Sequence, residues 1–194
     1  MRTVVSPTNS DFHELAYHFL TLSAGDQLLR FGKLRSDRGL AEYADTLVRR
    51  SEVAFLVREP APSIAGVVHL QFTSTGVNLG LTVSDWARGQ GIGTLLLERA
   101  VLFASSFGIG TLFARELSEN SALRNLAIHA GMNVAWVLPD GSTRLDLPAG
   151  PRSPIAGKCD AGSMFLADHC LRFQAQSRQQ VATPSVDALE LMMS

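Results

Sequence analysis

Along the first fifty positions apolar residues recur at helical spacing. In "TNSDFHELAYHFLTL" the residues Phe12, Leu15, Ala16, Phe19 and Leu20 form one stripe, Asn9 or Ser10 stands where a cap belongs, and Asp11 and Glu14 fall in the first turn. Leu40, Tyr43, Ala44 and Leu47 predict a second helix over about 37–49, capped by Ser36. The period then changes. "VAFLVRE" (53–59), "IAGVVHLQF" (64–72) and "VNLGLTVS" (77–84) read as strands joined by the turns "PAPS" and "TSTG", an antiparallel meander. From Ile92 the helical period returns, with Leu96, Ala100, Phe103 and Phe107 on one stripe, flanked by Leu97, Val101 and Ala104, and with Gly108 as the end. A strand over 110–118, a short helix over 120–132 closing at Gly131, and a hairpin of 134–138 with 143–147 complete the pattern.

Beyond Leu147 the composition shifts. "PAGPRSPIAGKCDAG" (148–162) is rich in Pro and Gly and reads as a linker. Two weaker helical patches follow, about 163–180 and 185–193, the second with Thr183 as cap and Pro184 at its first position. The expectation is one domain over 1–147 and a linker with a helical tail over 148–194. Phe165, Leu166, Leu171 and Phe173 argue for a tail that packs onto the domain or onto a dimer partner.

The totals exclude several classes. The chain has 194 residues, 46% hydrophobic and 18% charged, with a net charge of −1, which leaves no basic excess for nucleic acid. No apolar run is long enough to span a membrane, and the N-terminus has no signal-like apolar core, so the cytoplasm is the expected location. Cys159 and Cys170 are read as reduced thiols, and no metal site is expected, since His13 and His18 stand five apart and share no helix face as ligands.

One stretch carries chemistry. In "SDWARGQGIGTLLLERA" (84–100), Gly89, Gly91 and Gly93 alternate behind Arg88 and ahead of a helix. Consecutive backbone N–H groups converging at a helix N-terminus make an anion site, and Arg88 adds a charge suited to phosphate. The spacing is neither the G-x-G-x-x-G of dinucleotide folds nor the G-x-x-x-x-G-K-[ST] of P-loops. A glycine-rich turn with no ligand is the plain alternative.

"RGQGIG" (88–93) resembles the (Q/R)-x-x-G-x-(G/A) loop of the GNAT acetyltransferase superfamily, which cradles the pyrophosphate of coenzyme A. The resemblance has two further parts: the strand "VNLGLTV" before the loop, and Asn120 followed eleven residues on by Gly131-Met132. It covers about residues 1–147. It implies an α/β fold of α+β type, with a mixed, mostly antiparallel central sheet and helices on both faces. It also implies acetyl-CoA as acetyl donor, an amine as acceptor, direct attack, and no metal. Carried over, Leu81, Thr82 and Val83 meet the pantetheine arm and the acetyl group, with the Val83 N–H donating to the thioester oxygen as the tetrahedral intermediate forms. Arg88, Gly89, Gln90, Gly91, Ile92, Gly93 and Thr94 hold the pyrophosphate, and Asn120 contacts the arm from the far side.

The usual proton-transfer groups are replaced. Where many relatives carry a glutamate on the strand before the loop this chain has Asn78, and where they carry a tyrosine seven residues after the asparagine it has Ala127. An amide cannot act as a base. His69 on "GVVHLQF" is one substitute, set against a packed strand histidine. Glu116, Glu119 and His129 are others, each set against a solvated or capping role. The segment "RFGKLRSD" (30–37) resembles one that walls the acceptor side in relatives, so Phe31, Lys33 and Arg35 are candidates to shape that pocket, against plain surface charge. Two functions stand: acetyl transfer from acetyl-CoA to an amine, and a non-catalytic acyl-CoA-binding or regulatory module that kept the loop and lost the proton-transfer groups.

Overall fold

The change of period at residue 53 is where a seven-stranded sheet begins. The computed structural model describes residues 2–49, 52–59, 63–73, 76–115, 117–137 and 141–148, within the unit Met1–Lys158. The linker beyond Pro148, the two tail helices, Cys159, Cys170 and Glu116 lie outside the described residues.

The elements are β1 (Val4–Val5), α1 (Phe12–Leu20), α2 (Ala24–Phe31), α3 (Asp37–Arg49), β2 (Val53–Glu59), β3 (Ser63–Thr73), β4 (Gly76–Val83), α4 (Ile92–Ser106), β5 (Thr111–Arg115), α5 (Ser121–His129), β6 (Asn133–Val137) and β7 (Ser142–Asp146). Short 3-10 segments lie at Asn9–Asp11 and Asp85–Ala87. The mixed α/β fold with a mostly antiparallel sheet agrees with the expectation from the sequence. Two elements were not anticipated there. Two residues at β1 carry no period to read. α2 has no fully buried residue, so its apolar positions give no core stripe. It is fixed instead by its ends: the Ser23 hydroxyl accepts from the Asp26 N–H at 3.1 Å, and Gly32 closes the helix in the left-handed region, φ 70°.

The strand order is β1-β2-β3-β4-β5-β7-β6. Every neighbour pair is antiparallel except β4 and β5, which the chain connects through α4 and which therefore run parallel. α1 and α3 cover one face, where Leu15, Phe19, Leu40, Leu47, Leu56 and Ile64 share one core cluster. α4 covers the other. Its Leu96, Leu97, Ala100 and Ala104 are buried, and Phe103 meets Phe55 of β2 edge-to-face at 5.6 Å between ring centroids. Gly66 allows this close packing: a Cβ there would stand 2.9 Å from both the Thr82 carbonyl oxygen and a Leu96 methyl.

Two details of α1 differ from its apolar stripe. Leu20 is exposed, and His18 takes a buried place beside Phe19. Among the described residues no helix is long and apolar enough to cross a membrane.

Candidate active site

β4 and β5 are joined at a single register position, Asn78 opposite Phe113. Past that bridge the strands part. Leu81, Thr82 and Val83 pair with Val68, Val67 and Gly66 of β3 on one side, and no register partner on β5 meets them on the other. Strand backbone without a ladder partner presents N–H and C=O groups to whatever enters the gap. A cavity of about 710 Å³ opens there, walled by β4, the loop before α4, α5 and α2.

The loop wall is built from backbone. Gly89 and Gly91 adopt φ 72° and 80°, and Gly91 is the N-cap of α4. A Cβ at either would meet nothing within 4 Å, so glycine is needed there for its conformation and not for space. These turns bring the free N–H groups of the first turn of α4 to the cavity wall, together with the positive end of a fifteen-residue helix. Gly93 has a different reason. It is helical, and its missing side chain lets Leu126 of α5 pack against α4, where a Cβ would stand 2.9 Å from a Leu126 methyl.

Arg88 lines the same wall. Its guanidinium is 2.7 Å from an Asp26 carboxylate oxygen and 2.8 Å from one of Asp85. Burial works to raise the Asp26 pKa, but the Ser23 hydroxyl and Arg88 together hold it below the usual carboxylate range. Asp26 is therefore an anion that keeps Arg88 in place, and a weak base.

Of the cofactor residues expected from the sequence, the structure brings Leu81, Thr82, Val83, Arg88, Gly89, Gly91, Ile92, Gly93, Thr94 and Asn120 to one cavity wall. Gln90 is not brought there; its side chain donates to the Trp86 carbonyl at 2.8 Å and accepts from Arg2. Asn120 caps α5, its side-chain oxygen accepting from the Leu123 N–H at 2.9 Å. Ala127 is fully buried and off the cavity. His129 does line it, and its Nδ1 donates to the Asn125 carbonyl at 2.7 Å, leaving Nε2 with the lone pair in the neutral ring. Because Leu126, one turn before His129, packs on Gly93, this imidazole belongs to the loop end of the cavity.

His69 is not brought to the cavity. It is buried at 2% exposure on β3, with Tyr43 Oη 2.8 Å from Nδ1 and the Glu52 carboxylate 2.6 Å from Nε2, the latter without the alignment of a full hydrogen bond. Burial lowers its pKa, with Glu52 opposing. Of the "RFGKLRSD" candidates, Lys33 is exposed and Arg35 lies over the Phe31 ring, 4.6 Å from its centroid. The cavity wall is supplied instead by Leu29 and Arg30 of α2.

One group at the site gave no signal beyond its place beside an apolar stripe. His18 Nε2 is 2.8 Å from the Thr82 hydroxyl and Nδ1 is 3.0 Å from the Ser84 hydroxyl. Ser84 donates to the Ile64 carbonyl at 2.9 Å, so Ser84 accepts from Nδ1–H and Thr82 donates to Nε2. Burial lowers the ring's pKa to about 4, which keeps it in this neutral form at pH 7. His18 thereby fixes the Thr82 side chain on the α1 side of β4, away from the α4 face that Val83 shares with Gly93.

A helix start opened by glycines faces the gap between two parallel strands. The model of the acetyltransferase (GNAT) family matches residues 17–132. The chain belongs to this family. No curated protein matches the chain by sequence. Among solved structures, the GNAT domain of S. lividans PAT superposes with a TM-score of 0.62 at 18% identity, covering 74% of this chain and 88% of that one. The ribosomal-protein-S18-alanine N-acetyltransferase from Escherichia coli gives 0.51 at 21% identity, covering 79% and 99%. The spermidine N-acetyltransferase from Vibrio cholerae, solved in complex with CoA and spermine, gives 0.53 at 16% identity, covering 74% and 93%. At these identities the likeness is one of fold. The described residues that line the cavity carry one carboxylate, Asp26, and that one is engaged with Arg88.

Proposed function

We propose that this GNAT protein transfers the acetyl group of acetyl-CoA to an amine in the cytoplasm, by direct attack. The observation that carries the reading is the joining of two features on one cavity of about 710 Å³: the left-handed glycines opening α4, and the unpaired edge of β4 at Leu81–Val83. The loop residues Arg88 to Thr94 hold the diphosphate through backbone N–H groups and the Arg88 charge. Leu81 to Val83 pair with the pantetheine arm as a strand would. The Val83 N–H donates to the carbonyl oxygen of the thioester, where negative charge grows as the nitrogen attacks. The C–N bond forms to give a tetrahedral oxyanion; the C–S bond then breaks, and the proton shed by the nitrogen passes through water to the departing thiolate.

The attacking nitrogen must be unprotonated, and free amines have a pKa near 10.4 for a lysine-like group. The described wall offers no free carboxylate, and its one imidazole stands at the loop end. The amine therefore loses its proton to water on the way in, and kcat/KM rises about tenfold per pH unit up to the amine's own pKa. The test is release of free thiol from acetyl-CoA with a panel of small amines and lysine peptides. Turnover with at least one acceptor supports transfer. A second reading, an acyl-CoA-binding module without chemistry, is favoured by Asn78 and by the buried Ala127. Tight coenzyme A binding with no thiol release from any acceptor selects it.

A further inference from the structure

A smaller cavity of about 70 Å³ adjoins the large one and shares Leu29, Arg30, Leu81, Asn120 and Leu123 with it. Its other walls include Gln71, Asn78 and Arg115. Two arginines thus line one small polar space whose described lining holds no carboxylate, and neither has an ion pair with a described acidic residue. Two residues beyond the Asn78–Phe113 bridge stand Gly80 on β4 and Arg115 on β5, so the space lies where the strands begin to part.

Arg30 is held there by construction. Its guanidinium occupies the place a side chain at Gly80 would fill, since a Cβ on Gly80 would overlap it. It donates to the Tyr43 hydroxyl, which can then donate only onward, to Nδ1 of His69 at 2.8 Å, while Nε2 of that ring faces the Glu52 carboxylate. His69 is buried and Tyr43 half-buried, and the guanidinium also lies 5.1 Å and 5.4 Å from the Phe31 and Tyr43 ring centroids. Tyr43 of α3, His69 of β3 and Glu52 before β2 therefore hold the planar fork of Arg30, a residue that lines the cavity. A cation that is oriented, unpaired with any described acid and part-buried calls for an anionic partner.

We propose that the small cavity is an acceptor subsite for a carboxylate: Arg30 and Arg115 bind it, so the acceptor amine belongs to a molecule of amino-acid type. The size suits a carboxylate, being roughly two waters' worth of space. The planar fork suits its two oxygens. Tyr43 and His69 act through Arg30 as positioning residues. This reading rests on the proposed transferase function for its amine, and its test is separable from that function.

Binding is measured by calorimetry on the full chain saturated with coenzyme A, comparing lysine with cadaverine and β-alanine with ethylamine. The carboxylate member of each pair is expected to bind at least tenfold more tightly. Arg30→Ala should bring that ratio close to one, and Arg115→Gln lower it less, with circular dichroism checking the fold. Tyr43→Phe keeps the packing and removes only the hydroxyl that orients the fork, and should reduce the ratio several-fold. Equal affinity within both pairs, no binding of either carboxylate-bearing amine, or a ratio untouched by both Arg30→Ala and Tyr43→Phe overturns the subsite. Preserved preference without thiol release leaves the subsite standing and overturns the transferase reading alone.

Discussion

The two ends of the cavity are made of different material. The loop end is backbone: two glycines at positive φ and the first turn of α4, contiguous in the chain from Arg88 to Thr94. The other end, the proposed acceptor subsite, is side chains: Arg30, Asn78, Arg115 and their supports, drawn from five elements up to 85 positions apart. A backbone site depends on a handful of local dihedral angles. A side-chain site depends on the packing of α2 and α3 against β3 and β4. The first is therefore insensitive to most substitutions outside its own stretch, and the second is open to change at many places.

The largest expected effect breaks the loop end. Gly91→Asp puts a side chain into the left-handed region and a carboxylate beside the diphosphate, and should abolish coenzyme A binding in calorimetry, a loss of more than about 3 kcal/mol, while circular dichroism stays native. Unchanged affinity would show that the loop does not grip the ligand.

Next comes the support under β4. The His18 pKa is about 4 in the folded chain and near 6.5 when unfolded, so between these values the unfolded chain binds more protons. Stability is full above pH 6.5 and is lost as pH falls toward 4, by up to about 3 kcal/mol. Urea midpoints measured across that window should fall with acidity, and His18→Asn, which cannot titrate, should flatten that part of the curve from a lower starting stability. A wild-type curve no steeper than that of the variant would remove His18 from the account.

Arg88→Ala should weaken coenzyme A binding by about 1–3 kcal/mol, the worth of a charge-assisted hydrogen bond. Because Asp26 and Asp85 already hold that guanidinium, Asp26→Asn sharpens the comparison. It releases Arg88 toward the ligand and should tighten binding by less than about 1 kcal/mol, since the pair is half exposed. Weaker binding on Asp26→Asn would mean that the carboxylate orients Arg88 more than it competes.

The sequence carried the loop end nearly whole. Alternating glycines before an amphipathic run need no long-range contact to be read, and Leu81 to Val83 and Arg88 to Thr94 line one cavity, apart from Gln90, whose side chain turns to Trp86 and Arg2. It also carried the strands, whose apolar runs are dense enough to show. It did not carry α2. A helix that faces a cavity has no buried stripe, and its cap residues Ser23 and Gly32 are common turn residues too. His69 shows the same limit: a histidine on a central strand reads alike whether it faces a cleft or, as here, lies packed behind Tyr43.

Local sequence determined where the period changes, where the helices start, and where a backbone could bind an anion, because these follow from spacing and from the dihedral freedom of single residues. Tertiary structure alone decided which side chains meet. Gly80 in "VNLGLTV" is where a Cβ would overlap a side chain that is distant in sequence. Only the folding of α2 across β4 put the Arg30 guanidinium there, and placed Tyr43 and His69 behind it. That juxtaposition joins positions 13 to 50 residues apart, and no local pattern encodes a contact between them.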